Sequence, residues 1–177
     1  MALDNTTTKS DDVLDFIIDE FEGGFISHPD DSGGPTKYGV TKKALSGYLN
    51  HAVRTNDIHE LTKEGAKNVY RAAYVKAVRG DDIEYRPLRL AMVDYAIHSG
   101  PRRVIRALQD IVGTACDGLL GPITWNAIQY HDPHSLFVQL MAERMIFLTR
   151  IVSNDKSQVS FIKGWGKRLA RILEQSV

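Results

Sequence analysis

Glu22 ends a run of apolar residues at helical spacing, Val13, Leu14, Ile17, Ile18 and Phe21, and Gly23-Gly24 follows it at once. Asp30, Asp31, Thr36 and Tyr38 come next, in a stretch punctuated by Pro29, Gly33-Gly34 and Pro35, which is turn chemistry. These residue types can cleave a glycosidic bond, which needs an acid to protonate the leaving oxygen and a second polar group to place water or support charge developing on the sugar. Glu22 suits the first role and Asp31 the second, with Asp30 as a competitor. A carboxyl group at the edge of an apolar helix face is partly desolvated, which favours the protonated form an acid must have. The glycines allow backbone to approach a bulky sugar ring. A plainer reading stays open at this point, in which Gly23-Gly24 terminates the helix and Glu22 is an exposed last-turn residue. Against it, a carboxylate at a helix C-terminus meets the negative end of the macrodipole, so its placement there invites a functional reason.

The elements that would position these residues are helical. Ser10 and Asp11 can cap the helix that ends at Phe21, and the Gly23–Tyr38 loop leaves room for a minor hairpin. A short helix is expected from Thr41 to about Leu49, then a polar connection over Asn50–His59, then a Thr62-capped helix carrying Ala66, Val69, Tyr70, Ala73 and Tyr74 towards Gly80. Pro87 opens a further helix, Gly100-Pro101 separates it from the next, and the turn-rich segment Cys116–Pro122 leads to a short helix around Trp125–Ile128. Two amphipathic helices, about Pro133–Val152 and Val159–Leu173, close the chain. Neither a repeat nor a long period-two alternation is present, so the fold class is all-α.

The 177 residues carry 22 basic and 22 acidic side chains, a formal charge of zero that lacks the footprint of a general nucleic-acid binder. The acidic run of the first helix and the basic run Lys163, Lys167, Arg168 and Arg171 are expected to be solvated faces. Cys116 has no cysteine to pair with and reads as a small, half-buried, inert residue. The N-terminal residues lack a signal-peptide pattern and no apolar run is long enough to span a bilayer, so the expectation is synthesis in the cytoplasm with no stable membrane insertion. No metal is expected, because no pair among His28, Asp30, His51, His59 and His98 has the helix spacing of a zinc motif. Arg102, Arg103 and Arg106 form a basic strip read mainly as a solvated face, and Trp125 and Trp165 are assigned to packing.

The run Glu22-Gly23-Gly24-Phe25 through Pro29-Asp30-Asp31-Ser32-Gly33-Gly34-Pro35-Thr36-Lys37-Tyr38-Gly39-Val40-Thr41 resembles the signature of glycoside hydrolase family 108, N-acetylmuramidases of the lysozyme-like superfamily. The resemblance continues through Leu61-Thr62, Val93-Asp94-Tyr95-Ala96 and Ser99-Gly100-Pro101. Leu108-Gln109, Asp117-Gly118, Leu120-Gly121-Pro122, Gly164-Trp165 and Arg168 are similar to the companion peptidoglycan-binding module. Three positions depart from the family pattern: Phe25 for tyrosine, His98 for asparagine and Val75 for tryptophan.

The resemblance implies a lysozyme-like helical domain over 11–99 packed with a small helical peptidoglycan-binding region over 100–174. It implies Glu22, Asp31 and Thr36 as catalytic residues and Tyr38, Tyr95, His98 and Asp30 as sugar contacts, with no cofactor and no metal. The partner would be the glycan strands of peptidoglycan, cut by a monomer at the β-1,4 bond between N-acetylmuramic acid and N-acetylglucosamine for cell lysis. Action in the periplasm after release or delivery follows, as for a phage endolysin, with a type VI effector or host enzyme as other settings. A lytic transglycosylase, or a low-activity wall-binding or export-assisting protein, is the alternative.

Overall fold

Val13, Leu14, Ile17 and Ile18 are buried along one face of α1 (Asp11–Phe21), as their spacing requires. The computed structural model describes residues 8–25 and 34–177, which therefore leaves Asp30 and Asp31 outside the described residues. Two compact units divide the chain, the first ending at Asp81 and the second running Asp82–Val177. Among the described residues there are nine α-helices and one two-stranded hairpin, an all-α architecture.

In the first unit, α1 is followed by the hairpin β1 (Thr36–Lys37) and β2 (Val40–Thr41), then by α2 (Lys42–Leu49), α3 (Thr55–His59) and α4 (Lys63–Tyr70). Thr41 and Thr62 cap α2 and α4, their hydroxyls accepting from the Ala44 and Gly65 amides at 3.2 and 3.0 Å. The short helix α3 replaces the polar connection expected over Asn50–His59. Its reason is a single anchor, since Ile58 is fully buried in an otherwise polar segment. Beyond Tyr70 the helix widens into a π-helical turn, Arg71–Val75.

The acidic run of α1 is a paired ladder rather than a solvated face. Asp11, Asp15 and Asp19 recur every four residues, and so do Lys63, Lys67 and Arg71 on the antiparallel α4 and the turn after it. Lys63 Nζ lies 2.8 Å from Asp19, Lys67 Nζ 3.0 Å from Asp15 and Arg71 Nη2 2.5 Å from Asp11. Burial pushes the Asp15 carboxyl upward, but hydrogen bonds and charge from Lys67 and Lys63 outweigh it and hold the group below the usual carboxylate range. Only the Lys63–Asp19 pair is exposed, a kind that contributes about 0.2–1 kcal/mol, and together the three pairs fix the register of α1 against α4.

The second unit is built around α5 (Arg86–Ser99), flanked by α6 (Pro101–Ile111), α8 (Pro133–Asn154) and α9 (Ile162–Leu173), with α7 (Pro122–Tyr130) between. Gly100, at φ 86°, breaks α5 from α6. The last helix begins at Ile162 rather than Val159, because Lys156–Phe161 forms a 3₁₀ segment in which no residue is buried. Asp94 has no exposed surface and sits between Arg144 Nη1 and Arg168 Nη2, each 2.7 Å away. Burial raises the Asp94 carboxyl pKa, yet the two guanidinium groups prevail and hold it below the ordinary range. Gln109, 1% exposed, organises the turn-rich segment: its Nε2 donates to Asp117 Oδ1 at 2.7 Å and Leu119 O at 3.0 Å, and its Oε1 accepts from the Gly118 amide at 2.8 Å. Cys116 is exposed, not half-buried, because it lies on that loop.

Candidate active site

Glu22 is the first residue past α1, with extended backbone at φ −111°, ψ 121°, and its amide still donates to Ile18 O at 3.2 Å. The helix thus ends on this residue and its side chain leaves the helix face half-buried. The hairpin then folds back onto the same point. Tyr38 and Gly39 form its two-residue turn, with φ 52° and 72°, the left-handed pair that matches the twist of a tight hairpin. Thr36 pairs with Thr41 and Lys37 with Val40.

Contacts tie this small hairpin to all four helices of the unit. The Tyr38 amide donates to Gly23 O at 3.0 Å just beyond α1, and Tyr38 O accepts from the Tyr70 hydroxyl of α4 at 2.6 Å. Lys37 Nζ donates to His59 O at the end of α3 at 2.7 Å, and Thr41 caps α2. A bulky residue at positive φ costs on the order of 1–3 kcal/mol, and the two hydrogen bonds on Tyr38 keep it there.

Gly39 decides the geometry at the tip. A Cβ on this residue would lie 2.7 Å from Glu22 Cδ and 2.5 Å from the Tyr70 hydroxyl. The Glu22 carboxyl group therefore packs on the bare Cα of Gly39, beside a tyrosine hydroxyl from another helix. Gly39→Ala adds both a clash and a strained φ and should lower stability by roughly 1–3 kcal/mol. Urea unfolding checks this, and a Gly39→Ala protein within about 0.5 kcal/mol of wild type contradicts it.

Next to the hairpin a groove of about 510 Å³ runs between α2 and α4, lined by Thr41, Gly47, Tyr48, Val69 and Tyr74 among others. That volume accommodates sugar rings. Tyr74 stands 5.9 Å from Tyr70 between ring centroids, and burial pushes its hydroxyl pKa upward, so it stays a neutral donor.

The glycosyl hydrolase 108 family matches residues 14–100, and a family described as a predicted peptidoglycan domain matches residues 103–170. Among solved structures, SagA from Brucella abortus superposes with a TM-score of 0.80 at 32% identity, over 93% of this chain and 91% of that one. The chain belongs to the glycosyl hydrolase 108 family. No significant match is found among curated proteins. Together the two family matches support a glycoside hydrolase that acts on peptidoglycan.

Within this family 108 protein, Glu22, Thr36 and Tyr38 belong to the first unit, Thr36 on β1 two residues before the hairpin tip. Asp30 and Asp31 lie outside the described residues. Tyr95 and His98 stand on α5 in the second unit. Tyr95 has no exposed surface; its hydroxyl donates to Glu143 at 3.0 Å and the Arg144 guanidinium stacks on its ring at 5.0 Å. His98 is half-buried against Trp165, with centroids 6.0 Å apart. Burial first, then the charges of Arg144 and Arg168, push its pKa from 6.5 down to about 4, against a weaker pull from Asp94.

The low pKa makes His98 a pH-sensitive point. The unfolded chain binds this proton below pH 6.5 and the folded chain only below about 4, so stability is full above 6.5 and falls as pH is lowered through that window. His98→Asn should flatten that part of the stability curve, as read by urea unfolding at a series of pH values. Parallel curves for the two proteins between pH 6.5 and 4 would contradict it.

Gly39 and Tyr70 were the residues whose contribution sequence reasoning did not isolate. A two-residue turn between Thr36-Lys37 and Val40-Thr41 was a usable signal for Gly39. None existed for Tyr70, whose hydrogen bond spans 32 residues.

Proposed function

We propose that this family 108 protein is an N-acetylmuramidase that hydrolyses the β-1,4 bond between N-acetylmuramic acid and N-acetylglucosamine, with Glu22 as general acid. The supporting observation is the seat of the Glu22 carboxyl group, packed on Gly39 beside the Tyr70 hydroxyl where α1 meets the hairpin. In the reaction Glu22 gives its proton to the glycosidic oxygen as that bond breaks, and positive charge spreads over the anomeric carbon and ring oxygen. Asp31 orients the water that adds to this carbon and takes its proton, and Thr36 assists in holding that water. Tyr38, at the hairpin tip, and the groove beside Tyr48 and Tyr74 supply surfaces for the sugar rings. Cell lysis, with action in the periplasm, is the setting this chemistry serves best.

Mass spectrometry of muropeptides released from purified peptidoglycan tests the reading. Hydrolysis consumes water and leaves reducing ends, whereas a transglycosylase leaves anhydro ends, so predominantly anhydro products would overturn it. The same assay ranks the two neighbouring carboxylates. Asp31→Asn is expected to lower the rate by ~10²-fold or more and Asp30→Asn by much less, and the reverse order would move the water-positioning role to Asp30.

A further inference from the structure

The second unit exposes an apolar surface away from any carboxylate pair. Met145 and Ile146 on α8, Val159 and Phe161 on the 3₁₀ segment, and Ile162 and Leu173 on α9 are between 36% and 56% exposed. Between α8 and α9 lies a groove of about 330 Å³, lined by Met145, Leu148, Ile162, Trp165, Leu169 and Leu173. Gly166 lies in its lining, where a Cβ would meet nothing within 4 Å. Thr149 and the Trp165 indole are the polar groups in its lining. A glycan strand would bring hydroxyl and acetamido groups that find too few partners here, each at a desolvation cost of about 1–3 kcal/mol. Acyl chains ask for none.

Charge selects the occupant further. Lys163, Lys167 and Arg171 recur every four residues along the exposed edge of α9. Arg171 is paired with Glu174 at 2.9 Å, whereas Lys163 and Lys167 have no acidic partner among the described residues. Phe161 stacks on Trp165 with centroids 6.0 Å apart, and Trp165 lines the groove. An apolar groove with aromatic rings and a cationic edge is the composition of an interfacial membrane-binding helix. A symmetric pairing of two copies through this face would instead juxtapose their lysine rows, a like-charge arrangement that opposes association.

We propose that this face seats the protein on a bilayer surface bearing anionic lipid, with Phe161, Ile162 and Trp165 entering the boundary between headgroups and acyl chains. Lys163 and Lys167 then meet the lipid phosphates. The contact is peripheral, since no helix among the described residues is long and apolar enough to cross a membrane. It is independent of the hydrolytic site, which lies in the first unit.

Co-sedimentation of the full chain with vesicles of phosphatidylglycerol in phosphatidylcholine, against vesicles of phosphatidylcholine alone, tests the proposal. The expected result is binding to the anionic vesicles with a blue shift of tryptophan emission, and binding at least about tenfold weaker to the neutral ones. Lys163→Gln with Lys167→Gln should weaken the anionic binding roughly 25-fold, at about fivefold per lysine. Phe161→Ser, at a side chain 55% exposed and so tolerable to the fold, should remove most of the blue shift. Glu22→Gln should bind the anionic vesicles as wild type does, which separates failure of this proposal from failure of the muramidase reading. Absence of vesicle binding, equal binding to both vesicle types, or wild-type binding by the lysine variant overturns the proposal. So does a dimer in sedimentation velocity that Phe161→Ser dissociates, which would assign the face to a second copy.

Discussion

Asp94→Asn is expected to lower the stability of the second unit by about 3–5 kcal/mol, the usual consequence of removing one partner from a buried charge pair. The side chain keeps its shape and loses its charge, which leaves Arg144, only 1% exposed, without the carboxylate that offsets its desolvation. Arg168, also drawn to Asp94, loses the same partner. A fall in melting temperature of roughly 10 °C follows for a chain of this size. Hydrophobic replacement of all three members should recover much of the loss, because a buried triad is costly to break yet replaceable by well-packed apolar side chains. Scanning calorimetry distinguishes these outcomes, and an Asp94→Asn protein that melts within about 2 °C of wild type would refute the buried-charge account. The same triad explains why the chain should not tolerate a cut after Gly113. That cut removes Arg144 and Arg168 together and uncovers the apolar face of α5, so the product should be insoluble or unfolded. A soluble Met1–Gly113 fragment with full activity on peptidoglycan would show a dispensable C-terminal region instead.

Local signals in the sequence were sufficient wherever one element decides its own shape. The four-residue recurrence of Val13, Leu14, Ile17 and Ile18, the helix start at Thr41, the cap at Thr62, and the Gly100-Pro101 break correspond to α1, α2, α4, and the junction of α5 with α6. The limit came with facts that depend on two elements at once. Acidic residues on α1 looked like a solvated face because the sequence does not show that α4 runs antiparallel to it with matching four-residue spacing. The helix α3 escaped notice because one buried side chain, Ile58, anchors a polar segment. Glu22 was conspicuous by its position before two glycines, while the steric need for Gly39 appears only when α1, the hairpin and Tyr70 of α4 converge. Arg144 gave no hint at all, since its partner lies on another helix.

Glu22→Gln is the most direct test of the hydrolytic account. The amide fills the same space against Gly39 and Tyr70, so the protein should fold and melt as wild type does. It cannot donate the proton that the leaving sugar oxygen requires, and general acid catalysis is typically worth ~10²- to 10⁴-fold. The measurement is the initial rate of reducing-end release from purified peptidoglycan by wild-type and Glu22→Gln proteins with matched circular dichroism. The account predicts a loss of at least about 100-fold, and a variant retaining more than about a tenth of the wild-type rate would contradict it.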